Sequence, residues 1–65
     1  MLLTVDVGNT NITLGLFKGD KVFANLRLKT RSARTSDEYG SLIAEMIVRK
    51  GIDISSISDV IIASV

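Results

Sequence analysis

The sequence predicts an α/β domain of element order βββαβ on a mixed sheet, and three observations predict it. Apolar and polar residues alternate over three successive stretches as far as Lys29. The spacing then changes to that of a helix face between Tyr39 and Ile47. An unbroken apolar run, Val60-Ile61-Ile62-Ala63, follows the helix. With 65 residues the chain holds one small domain, which buries roughly 60% of the surface that its unfolded form exposes.

The first strand is expected over Leu2 to Val7, with Leu3, Val5 and Val7 on one face and Leu2, Thr4 and Asp6 on the other. Gly8-Asn9-Thr10-Asn11 supplies residues that tolerate positive φ or hydrogen-bond their own backbone, so a turn is predicted there. Ile12, Leu14 and Leu16 alternate with Asn11, Thr13, Gly15 and Phe17, giving a second strand antiparallel to the first. Lys18-Gly19-Asp20 signals another turn. A third strand then places Val22, Ala24, Leu26 and Leu28 on one face.

Thr35 with Glu38 three residues later forms a capping-box pattern, and Tyr39, Leu42, Ile43, Met46 and Ile47 repeat at helical spacing. Arg49 and Lys50 complement the negative end of the helix dipole, and Gly51 suits the left-handed position just beyond it. Gly40 lies inside the helix at a cost of up to about 1 kcal/mol relative to alanine, read as a tolerated defect or a close approach to the sheet. Ser55, Ser56 and Ser58 are suited to capping one short turn. The run Val60 to Ala63 lacks alternation, as a strand covered on both faces does. It fits best parallel to the first strand, after a right-handed crossover through the helix. Such a strand needs more protein around it than these residues supply. Residues 1–65 are therefore expected to be an incomplete domain.

Composition narrows the chemistry. The apolar fraction is 46% and the net charge +1, which indicates a globular domain and argues against a dedicated nucleic-acid or membrane-surface binder. There is no cysteine and no histidine, so disulfides, zinc sites and histidine or cysteine catalysis are excluded within these residues. No apolar run approaches the roughly 20 residues of a membrane-spanning helix, and the first residues lack signal-peptide character. The expected compartment is the cytoplasm.

The candidate site is Asp6-Val7-Gly8-Asn9-Thr10-Asn11-Ile12-Thr13. A carboxylate at the end of a strand, followed at once by a glycine-containing turn, places an acceptor beside several N–H groups and hydroxyls. Backbone N–H groups of a tight turn form anion-binding concavities, Asp6 suits Mg²⁺ directly or through its waters, and Thr10 and Thr13 suit donation to phosphate oxygens. A β-carbon in place of Gly8 would crowd an approaching phosphate. The competing reading is an ordinary hairpin turn, a frequent use of Gly-Asn pairs. Asp6 weighs against it, because a carboxylate on an apolar strand is costly to bury without compensation.

These residues, with Gly15-Leu16-Phe17 following, resemble the phosphate motif D-x-G-N-T-x-x-x-x-G of type III pantothenate kinases. Thr30-Arg31, the run Arg34 to Tyr39 and the run Val60 to Val65 resemble the same family in order and spacing. The resemblance spans essentially the whole chain. It implies part of a ribonuclease-H-like, actin-like ATPase domain, and ATP-dependent phosphorylation of pantothenate to 4′-phosphopantothenate, the first step of coenzyme A synthesis. It further implies that Asp6 to Thr13 contact the ATP phosphates, with Mg²⁺ nearby, a requirement for K⁺ or NH₄⁺, and a homodimer. The family's catalytic base, pantothenate pocket and monovalent-cation aspartate are expected beyond Val65, so no catalytic residue is assigned here and the 65 residues alone are expected to be inactive. An alternative is a non-catalytic regulatory protein on the same scaffold.

Other features have simpler readings. Six of the eight basic residues fall between Lys18 and Arg34, and Arg27, Lys29 and Arg31 are expected to share a solvated strand face. Asp37 and Glu38 are adjacent in the first helical turn and read as capping residues rather than an acid–base pair. Tyr39, Met46 and Ile47 read as core.

Overall fold

The computed structural model describes residues 1–31 and 33–64. Its elements are β1 (Leu2–Val7), β2 (Asn11–Lys18), β3 (Lys21–Lys29), α1 (Ser36–Arg49), a short 3₁₀ turn (Ile54–Ser56) and β4 (Asp59–Ser64). They form a mixed four-stranded sheet of order β3-β2-β1-β4, consistent with the amino-terminal part of an actin-like ATPase fold. Strand β1 runs antiparallel to β2, with Leu2 opposite Phe17 and Val7 opposite Ile12. On its other side β1 runs parallel to β4, with Leu2 opposite Asp59 and Val7 opposite Ser64. Val65, the last residue of the expected apolar run, lies outside the described residues.

Period-2 alternation decides which face is covered. Leu3 and Val5 from β1 and Ile12, Leu14 and Leu16 from β2 are buried with Ile47 of α1 and Ile52 beyond it. Leu14 and Leu16 expose none of their surface, and each burial contributes about 1.5–3 kcal/mol. Tyr39 and Ile43 pack against this cluster, two turns and one turn ahead of Ile47 respectively. The helix therefore lies over one face of the sheet. The other face carries Asp6 and Thr13.

The helix ends are specified locally. The Thr35 hydroxyl accepts from the Glu38 N–H while the Glu38 carboxylate accepts from the Thr35 N–H, completing the expected capping box. At the far end, Gly51 has φ +80°, a conformation that costs glycine nothing because it lacks Cβ. Its N–H donates to the Val48 carbonyl at 2.9 Å, and the Ile52 N–H reaches the Ile47 carbonyl at 3.3 Å. These two bonds, with Ile47 and Ile52 buried together, make a Schellman termination.

Several expectations require correction. Val22 does not join the Ala24, Leu26 and Leu28 face: a register shift puts it opposite Phe17, while Ala24 remains opposite Leu16. Phe23 is the extra residue, and one inserted residue reverses the faces on either side of it. Arg31 does not share a strand face with Arg27 and Lys29, because β3 ends at Lys29. The 3₁₀ turn is capped by Asp53, whose carboxylate accepts from the Ser55 N–H and hydroxyl, rather than by a serine. Gly40 makes no close approach to the sheet, since a β-carbon there would meet nothing within 4 Å. Strand β4 occupies the expected parallel position but is exposed throughout, with Ile62 at 69%.

Candidate functional site

Asp6 is the penultimate residue of β1, and the alternation that buries Val5 turns Asp6 to the uncovered face of the sheet. It is exposed, so the burial cost that singled it out in the sequence does not arise in this chain. Thr13 stands directly opposite Asp6 in the antiparallel register and is also exposed. Across the parallel pair, Asp6 is matched with Ala63 of β4. A carboxylate and a hydroxyl are thus presented on adjacent strands beside a hairpin turn.

The turn itself is closed by the Gly8 N–H, which donates to the Asn11 carbonyl at 2.8 Å. No residue between Gly8 and Asn11 has positive φ, so the left-handed tolerance expected of this stretch is not used. The turn is fixed from outside by Thr30. Its N–H donates to the Thr10 carbonyl at 3.0 Å, and its hydroxyl donates to the Gly8 carbonyl at 2.9 Å. Asn9 and Thr10 are exposed, and neither N–H finds an acceptor among the described residues. The Asn11 side-chain amide donates to the Thr10 hydroxyl at 3.2 Å, which orients that hydroxyl.

The eight residues predicted as the site therefore divide into two groups. Asp6, Asn9, Thr10 and Thr13 present side chains to solvent around the turn, and Gly8 and Asn11 shape it. Val7 and Ile12 point to the covered face, where Ile12 is buried and Val7 packs beside it, leaving only their main chain to the site. Gly15 lies farther along β2, where Thr4 Oγ1 and the Phe17 ring would stand 2.7 and 2.9 Å from a β-carbon. That glycine serves packing on the uncovered face.

The donor set fits a Mg–phosphate group. Mg²⁺ is commonly held by one or two carboxylates together with phosphate oxygens and water, and Asp6 supplies one exposed carboxylate. Among the described residues no three acidic, histidine or cysteine side chains gather into a self-sufficient metal site. The same turn offers an anion two N–H groups with no acceptor among the described residues, and the hydroxyls of Thr10 and Thr13.

Two contributors were not identified from the sequence. Thr30 carries no local signal of its role; the signal is the β2–β3 register, which pairs Asn11 with Lys29 and so brings the next residue to the turn. Tyr39 was read as core, yet its hydroxyl donates to the Arg31 carbonyl at 2.7 Å and accepts from the Arg31 N–H at 2.8 Å. The Arg34 guanidinium lies 5.7 Å from the centre of the Tyr39 ring and donates to the Lys29 carbonyl. Beneath this connection, on the covered face, is an apolar cleft of about 330 Å³ lined in part by Val7, Ile12, Tyr39, Gly40 and Ile62. Its lining suits apolar groups and is separated by the sheet from Asp6 and Thr13.

A mixed sheet in which an acidic β1 end meets a glycine turn, with a helix crossing to a parallel β4, is consistent with the amino-terminal part of an actin-like ATPase fold. The profile of the type III pantothenate kinase family matches residues 2–65. The chain belongs to that family. It is 49% identical over its whole length to a type III pantothenate kinase of Agathobacter rectalis, 25% of which it covers. It is also 49% identical to that of Geotalea daltonii, again over 25% of the relative. With the type III pantothenate kinase of Myxococcus xanthus the identity is 45%, over the same shares. The chain thus spans about a quarter of the length of the curated relatives it matches.

Proposed function

We propose that this chain is the ATP-phosphate-binding opening of a type III pantothenate kinase, which transfers a phosphoryl group from ATP to pantothenate in coenzyme A synthesis. The observation that carries the reading is the exposed Asp6 carboxylate, opposite Thr13 and beside a turn with two N–H groups that have no acceptor among the described residues. Asp6 holds Mg²⁺, directly or through water. The Asn9 and Thr10 N–H groups and the hydroxyls of Thr10 and Thr13 bind phosphate oxygens. The metal supplies charge neutralisation of the phosphoryl group when bound. Gly8 keeps the approach to the turn free of a side chain, and Val7 and Ile12 anchor the hairpin in the core so that the donors stay in place.

The acceptor side of the reaction lies elsewhere in a protein of the relatives' length. None of the described residues is assigned as the base, as the pantothenate pocket or as the K⁺ or NH₄⁺ site. Phosphoryl transfer depends on positioning donor and acceptor together, so the 65-residue chain alone is inactive on this reading. The working protein is a cytoplasmic homodimer with the active site in a cleft between domains.

The test is Asp6→Asn in the full-length protein that carries this segment, assayed by pantothenate-dependent ADP release. Loss of about 10²-fold or more in kcat/KM is expected, as for removal of a group that stabilises transition-state charge. Unchanged turnover removes Asp6 from the mechanism. Absence of turnover in the unaltered protein, with nucleotide binding retained, supports the regulatory alternative instead.

A further inference from the structure

We propose that Thr30 is a positioning residue for the phosphate turn, acting as a two-point clamp that holds two turn carbonyls away from the anion and aims the Asn9 N–H outward; this rests on the functional reading above. The residue lies 22 positions from Gly8 in sequence, yet its hydroxyl holds the Gly8 carbonyl and its N–H holds the Thr10 carbonyl. A carbonyl oxygen directed at a phosphate repels it. Tying these two carbonyls toward the β3–α1 connection removes that repulsion, and because a peptide's carbonyl and N–H point in opposite directions it turns the Asn9 N–H, which shares a peptide with the Gly8 carbonyl, away from the connection; among the described residues neither that N–H nor the Thr10 N–H has an acceptor. The donors are then arranged before the anion arrives, so binding does not have to order them.

The clamp has its own support. Arg31, the next residue, is fixed at both its N–H and its carbonyl by the Tyr39 hydroxyl. Tyr39 belongs to the helix and packs against the sheet core. Thr30 is thus held between β3 and α1, and the turn inherits its position from the folded body rather than from hairpin geometry alone. A two-point clamp of this kind differs from a ligand-binding threonine, since the Thr30 hydroxyl proton is already committed to Gly8.

The experiment uses the full-length protein with Thr30→Val, which removes the hydroxyl and keeps the N–H, and Thr30→Ser, which keeps both. Affinity for a Mg-bound non-hydrolysable ATP analogue is measured by calorimetry, and hydrogen exchange is followed over residues 8–11. Thr30→Val is expected to weaken binding about fivefold, the equivalent of one neutral hydrogen bond. It should raise KM for ATP with little change in kcat and speed exchange in the turn, and Thr30→Ser should restore all three. Where Thr30→Val does not accumulate folded, Thr30→Ala against Thr30→Ser gives the same comparison. Unchanged affinity in the hydroxyl-deleted variant, or an equal defect in Thr30→Ser, overturns the clamp. An Asp6→Asn control separates the two claims: normal Mg–nucleotide binding there overturns the functional reading, whereas loss there with no effect at Thr30 overturns the clamp alone.

Discussion

The Gly8 N–H donates to the Asn11 carbonyl oxygen at 2.8 Å, and that same oxygen would lie 3.0 Å from a β-carbon on Gly8. The bond that closes the hairpin turn therefore also brings a β-carbon at its first residue a few tenths of an ångström too close to the Asn11 carbonyl. Gly8→Ala forces either the bond to lengthen or the turn to open. Because the obstacle is backbone, relief requires main-chain movement, and a cost of about 1–3 kcal/mol is expected, as for other overpacked sites. Urea unfolding measures the loss, and amide spectra should show shifts at Asn9 and Thr10. Stability and spectra equal to the parent would show that the turn accommodates the methyl group freely.

Tyr39→Phe tests how the strand-to-helix connection is held. The substitution deletes the donor to the Arg31 carbonyl and the acceptor of the Arg31 N–H while retaining the ring beneath Arg34. Two exposed hydrogen bonds are lost and water replaces part of each, so the expected destabilisation is about 1–2 kcal/mol. Exchange of the Arg31 amide should accelerate more than exchange in β1. An unchanged Arg31 amide would mean that Tyr39 contributes through packing alone.

Much of this arrangement was readable from local pattern. Alternation identified Leu3, Val5, Ile12, Leu14 and Leu16 as the buried face, because one polar face and one apolar face leave a clear period in sequence. The Thr35–Glu38 box and Gly51 marked the helix ends by chemistry confined to a few residues. What escaped was set by geometry between distant segments. The Phe23 bulge moves Val22 to the opposite face without any local signal. The Thr30 clamp depends on the register of β2 against β3. The apolar strand around Asp6 suggests burial, whereas its alternating position places it in solvent.

Gly40→Ala addresses the one glycine inside the helix. A β-carbon at this position meets nothing within 4 Å, so the substitution introduces no clash. Alanine reduces the conformational freedom of the unfolded chain and favours the helix by roughly 0.5–1 kcal/mol. In a domain of this size each kcal/mol raises Tm by about 4–8 °C. Thermal unfolding of the 65-residue chain should therefore show an increase of a few degrees. A decrease would reveal a packing demand at Gly40 that its open surroundings conceal.

Asp53 gives a pH dependence whose sign follows from its partners. The Ser55 hydroxyl, followed by the Ser55 backbone N–H, holds the Asp53 carboxyl below its usual range because both donate to the charged form. The unfolded chain titrates at the ordinary value of 3.8 and the folded chain lower. The unfolded state therefore takes up the proton first as pH falls. The stabilisation is fully present above the unfolded value and disappears as pH drops through the lowered folded value. Asp53→Asn keeps a side-chain acceptor suited to the cap but removes the charge. The parent should thus be the more stable form near neutrality, with the gap closing in acid. Urea midpoints for both proteins from about pH 7 to about pH 2 isolate this residue, since the other carboxylates are common to both and cancel in the difference. Because Asp53 is solvent-exposed, added salt should narrow the neutral-pH gap. A gap that stays constant with pH, or widens in acid, contradicts the assignment of the stabilisation to the ionised Asp53–Ser55 contact.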